Sequence, residues 1–68
     1  MMRCVRFDKT ENYEKTPYGE HSKVLKSCNY HFNNWMQENP DVNIQFIHTG
    51  FDNNGYPVSI LVYYMVDN

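Results

Sequence analysis

Alanine is missing from this 68-residue chain, and Gly, Pro and Cys are scarce at three, three and two residues. Two cysteines cannot build the disulfide framework of a small secreted domain, so Cys4 and Cys28 are expected to be buried thiols. Long apolar runs are also lacking: the longest, Ile60 to Val66, has seven residues, far below the roughly 20 needed to cross a bilayer. The first residues, Met-Met-Arg-Cys-Val-Arg-Phe-Asp, place charge where a secretory signal would need an apolar core. There is no lipidation signature and no block of like charge. With a net charge of −2, the chain also lacks the basic face that binds membranes or nucleic acid nonspecifically. The expectation is a soluble cytoplasmic protein with no membrane partner.

What is abundant points to a folded domain. Hydrophobic residues make up 41% and aromatics 16%, including six Tyr and four Phe, which argues against disorder. Asn occurs nine times, a bias that an AT-rich coding sequence produces. The length permits one domain, 1–68. So short a chain buries only about 60% of its unfolded surface, so self-association is expected.

Periodicity predicts the elements. Arg3 to Asp8 alternates, with Val5 and Phe7 on one face and Cys4 and Arg6 on the other, and reads as a strand. Lys9 to Gly19 is polar and carries Pro17 and Gly19, which predicts a long loop. From Glu20 to Glu38, the apolar positions Leu25, Cys28, Phe32 and Trp35 recur at helical spacing, with Ser22 as a candidate N-cap and Asn39-Pro40 as the stop. Val42 to Thr49 alternates as a second strand, with Ile44 and Phe46 inward and Ile47 breaking the pattern. Gly50 to Pro57 is turn sequence, where Asn54-Gly55 can take positive φ. Val58 to Val66 is apolar on both faces, as a central strand would be. The predicted fold class is α+β: a β-α-β-β chain forming one three-stranded sheet of order 2-3-1, with the single helix on one face.

That arrangement leaves the other sheet face uncovered. Ile47, Leu61, Tyr63 and Met65 are predicted to line it and to form an oligomer interface; the competing possibility is that the first loop folds over it. Tyr13 and Tyr18 in that loop, and Phe51, Asn53, Asn54 and Tyr56 around the turn, combine aromatic and polar groups suited to a protein partner or a small polar ligand of nucleotide type.

Other chemistry is poorly supported. His21, Cys28 and His31 fall on the predicted helix, where Cys28-x-x-His31 has ligand-like spacing that Cys4 or His48 would complete. No paired motif backs it, and a thiol in a core stripe is ordinarily inert, so no metal or other cofactor is expected. Nucleophile elbows, phosphate loops and dinucleotide fingerprints are absent. No catalytic residues are assigned, and His48 would be the choice only if a base were required. Tyr63 and Tyr64 with Arg3 and Arg6 faintly suggest a stacking platform for RNA, but the charge is wrong and packing explains aromatics in a central strand.

Three segments occur together in order: Val5-Arg6-Phe7-Asp8, Asn33 to Pro40 (Asn-Asn-Trp-Met-Gln-Glu-Asn-Pro), and Ile60-Leu61-Val62-Tyr63-Tyr64. In these the chain resembles a family of very small β-α-β-β proteins expressed during sporulation in spore-forming bacteria, with relatives in their phages. The resemblance implies a bacterial or phage protein of that fold. It carries no catalytic residues, and the long first segment and Asn-rich turn depart from it. In a phage, such a protein would be a counter-defence factor that binds a host protein or sequesters a signalling nucleotide. The resulting expectation is a non-catalytic oligomeric interaction module, with ligand capture as the alternative.

Overall fold

A computed structural model describes residues 1–67. Strands β1 (Met2–Asp8), β2 (Thr10–Lys15) and β3 (His21–Lys26) precede helix α1 (Cys28–Glu38), and β4 (Asn43–Phe51) and β5 (Pro57–Met65) follow it. The described residues are therefore α+β with one helix, but their strands form two sheets, one ordered β1-β5-β4 and the other β2-β3. All pairings are antiparallel.

The expected β-α-β-β order with a single sheet is corrected to β-β-β-α-β-β. The predicted Lys9 to Gly19 loop is a strand and a turn, and Glu20 to Lys26, predicted helical, is largely the returning strand. Leu25 and Val24 can satisfy a helical stripe, yet here they pair with Glu11 and Asn12. The helix starts later because Ser27 caps it, accepting a hydrogen bond from the Tyr30 N–H at 3.2 Å. Its stop is at Asn39, whose backbone and side chain both donate to the Trp35 carbonyl.

Both hairpin turns share one design. Gly19 N–H donates to the Thr16 carbonyl, and Gly55 N–H to the Asp52 carbonyl. Each glycine then sits at positive φ, 84° and 81°, a three-residue loop closed by a glycine bulge. A side chain secures each turn: Thr16 Oγ1 accepts from Glu20 N–H, and Asp52 Oδ1 from Asn54 and Tyr56 N–H. Asn54 itself stays at negative φ, since no described non-glycine residue is positive.

Only Lys9 separates β1 from β2, so Met2–Lys15 runs as one long strand. At about 3.3 Å per residue it spans about 46 Å, close to the 48 Å long axis of the molecule. The Met1–Val66 and Lys9–Val58 hydrogen bonds show that odd-numbered residues face β5. The Thr16–Glu20 bond shows that even-numbered residues face β3. The two sheets thus grip opposite edges of the long strand, and β2-β3 projects as an arm.

The core lies between α1 and the three-stranded sheet. Cys28, Ile60 and Val62 are buried, flanked by Val5, Phe7, Phe32, Trp35, Ile44 and Tyr64. Phe7 meets Phe32 and Trp35 at ring distances of 5.9 and 5.7 Å, and Trp35 meets Tyr64 at 5.2 Å. Such pairs add specificity to the burial. Cys4, expected to be buried, is an exposed free thiol, while Cys28 is buried.

Candidate functional site

The sheet face away from α1 is open. Cross-strand partners share a face, so Cys4 with Tyr63, Arg6 with Leu61 and Met2 with Met65 all lie on it. From β4, Phe46 pairs with Tyr63 and His48 with Leu61. Phe46 lies 6.0 Å from the Tyr63 ring and stacks at 19° on His48, 6.5 Å away. Leu61, Tyr63 and Met65 therefore stand where they were expected.

Ile47 does not. The register shifts between Ile44 and Phe46, so that Ile44 faces Tyr64, Phe46 faces Tyr63 and Ile47 faces Val62. Gln45 is the extra residue of a β-bulge, and a one-residue slip sends every following side chain to the opposite face. Phe46, expected in the core, is 56% exposed on the open face, and Ile47 lies on the helix side. The signal was present in the sequence as Ile47's break in alternation, which marks a bulge rather than an apolar residue on the wet side.

The proposed contact residues separate into two groups. Tyr13 projects from the arm and Tyr18 stands at its tip, 73% and 92% exposed. Phe51, Asn53, Asn54 and Tyr56 surround the β4-β5 turn and are also exposed, close to where β5 pairs with the junction of β1 and β2. The arm does not fold over the open face: its strands pack chiefly on one another, with Lys23 paired to Glu11 at 3.3 Å. Its base is tied to α1 by Thr10 and His31 Nε2 at 2.8 Å, and by Lys26 Nζ 5.0 Å from the centre of the Tyr30 ring.

The residues considered for metal are dispersed. His21 is on the arm, His31 on α1, His48 on the open face, Cys4 on β1 and Cys28 in the core. No group of three metal-ligating side chains occurs among the described residues. No described helix is long and apolar enough to cross a membrane.

Two open grooves flank α1. One, of about 430 Å³, runs along β1 and is lined by Arg6, Phe7, Asp8, His31, Trp35 and Glu38 among others. The second, of about 410 Å³, lies between the end of α1 and the end of β5. Neither is lined by Tyr13, Tyr18, Phe51, Asn53, Asn54 or Tyr56. The Asn34 side chain hydrogen-bonds Tyr30 and Lys26 stands nearby, and together they lower the Tyr30 phenol below its usual value of 10.0.

No protein-family description, curated protein or solved structure matches this chain, and nothing in those comparisons ties it to sporulation proteins or phages.

Proposed function

We propose that the chain is a non-catalytic interaction module that works as a homo-oligomer. The open face (Leu61, Tyr63 and Met65, with Phe46 in place of Ile47) makes the self-contact. Tyr13 and Tyr18 on the arm, with Phe51, Asn53, Asn54 and Tyr56 at the turn, contact a protein partner.

One observation carries this reading. The accessible surface is 5443 Å² for 8.2 kDa, whereas a compact monomer of that mass exposes about 4,500 Å². The excess of about 900 Å² per chain matches what one partner contributes to a standard stable interface. Part of that excess is the open face, where large apolar groups stand uncovered.

Light scattering at micromolar concentration tests the self-contact. The expected mass is at least twice 8.2 kDa, and Tyr63→Asp, which places a charge at the centre of the face, is expected to break face-to-face packing. A wild-type monomer, or a Tyr63→Asp variant of unchanged mass, overturns the assignment.

A further inference from the structure

The open face is not the only unsatisfied surface of the sheet. Its two edges, β1 and β4, differ in kind. The β4 edge is interrupted by register shifts at Ile44/Phe46 and Gly50/Phe51, and bulges are a common device against edge-to-edge pairing. The β1 edge pairs with β5 without a break over seven residues, Met2 to Asp8. Because Met1 and Lys9 bond inward to β5, alternation turns the N–H and C=O groups of Met2, Cys4, Arg6 and Asp8 outward. Beyond Asp8 the same edge is taken by β3. The free stretch is therefore bounded and regular, with four residues' worth of unpaired backbone groups.

We infer that β1 pairs antiparallel with β1 of a second copy across a two-fold axis, joining two three-stranded sheets into one of six strands. Outward groups must meet outward groups. The register that uses the whole strand sets Met2 against Asp8 of the partner subunit and Cys4 against Arg6 of the partner subunit. Shifting it by two residues in one direction opposes Arg6 to Arg6 of the partner subunit, a like-charge contact that is disfavoured.

Side chains agree with this register. In it, Arg3 of the partner subunit lies across from Phe7 on the helix side, where it enters the groove of about 430 Å³ lined by Phe7, Trp35 and Glu38. Within one chain, Asp8 is held by Arg6 at 2.9 Å, whereas neither Arg3 nor Glu38 takes part in an ion pair among the described residues. Glu38 also ends a helix whose last turn has no basic residue, and Arg6, the cation that already lines the groove, is taken up by Asp8, so the Glu38 end of the groove favours a cation. The incoming Arg3 supplies it and can stack on Trp35. The two-fold axis makes the contact twice. A second copy is thus complementary in backbone and charge, and face-to-face packing by Tyr63 is a separate contact that can hold with or without this one.

Amide hydrogen exchange read residue by residue decides it, with Tyr63→Asp as background so that face packing cannot contribute. In a free edge, the amides of Val5 and Phe7 are protected while those of Cys4, Arg6 and Asp8 exchange freely. In the paired edge, the even-numbered amides are slowed tenfold or more, roughly, and lose protection on dilution. Arg6→Pro removes the outward N–H and keeps the ladder to β5 but also removes the guanidinium that holds Asp8, so Arg6→Ala, which removes the side chain alone, is its control. Protection and added mass are expected to be lost in the proline variant and kept in the alanine variant. Glu38→Lys weakens self-association about tenfold, and Arg3→Glu in the same chain restores it. Fast exchange at Cys4, Arg6 and Asp8, or failure of the charge swap to rescue, overturns the edge contact. Those outcomes leave the open-face assignment intact, since that assignment stands or falls on the mass of wild type against Tyr63→Asp.

Discussion

Phe46 and Tyr30 show how much rests on single positions. One inserted residue, Gln45, turns Phe46 to the open face to meet Tyr63 and His48 and turns Ile47 to the helix side, where it is still 45% exposed. The composition of β4 is unchanged by this; only the face presented to a partner changes. At Tyr30, the Asn34 hydrogen bond and the Lys26 charge both favour the phenolate. The folded state therefore releases its proton at lower pH than the unfolded chain, which titrates near 10. Between the folded value and pH 10 the unfolded state binds more protons, so stability rises with pH across that window and is indifferent to Tyr30 well below it. Ultraviolet titration is expected to show one Tyr ionising early in the folded protein. Lys26→Met is expected to move it back upward, and added salt to do so partly, because the site is exposed.

The arm is the element whose behaviour differs most from the rest. A two-stranded ribbon packed mainly on itself is marginally stable in water, and here most of its side chains face solvent. It is tied down at one end by Thr10–His31 and by Lys26 against Tyr30. The arm is expected to open independently of the core. Gly19→Ala forces a side chain onto a φ of 84°, at roughly 1 kcal/mol. The amides of Asn12 and Val24 should then exchange about fivefold faster, while those of Ile60 and Val62 are unaffected. Equal acceleration in β5 would mean that the arm and the core unfold together. The hairpin is hidden in the sequence because Pro17 and Gly19 read as breakers of a polar loop, and because Leu25 fits a helical stripe. The turn signature matches that of Asp52 to Gly55, which did register as a turn.

The molecule as a whole is thin and extended. Its radius of gyration is 15.2 Å and its shortest extent 13 Å, against about 11 Å for the radius of a compact domain of this length. Burial is concentrated on Cys28, Ile60 and Val62, so a lone copy has little with which to offset its conformational entropy. Association stabilises the folded form by mass action. The melting temperature is therefore expected to rise with protein concentration in wild type. It should become independent of concentration when Tyr63→Asp and Arg6→Pro are combined. A wild-type melting temperature that ignores dilution would show that the monomer is stable without either contact.

Several features follow from residue order alone. Alternation marks β1, the Asn39-Pro40 pair ends the helix, and apolarity on both faces makes β5 a strand flanked by two others. Leu61, Tyr63 and Met65 can be assigned to an uncovered face because side chains alternate and there is one helix to do the covering. These are local periodicities, and local physics sets them. The tertiary structure decided the rest. A stripe containing Leu25 suits a helix or a ribbon equally, and pairing with β2 chose the ribbon. The bulge at Gln45 depends on what β5 offers across the ladder, so the exchange of Ile47 for Phe46 on the open face is settled between strands and not within one. The free edge of β1 likewise exists because β5 takes one side of a long strand and β3 takes the other further along.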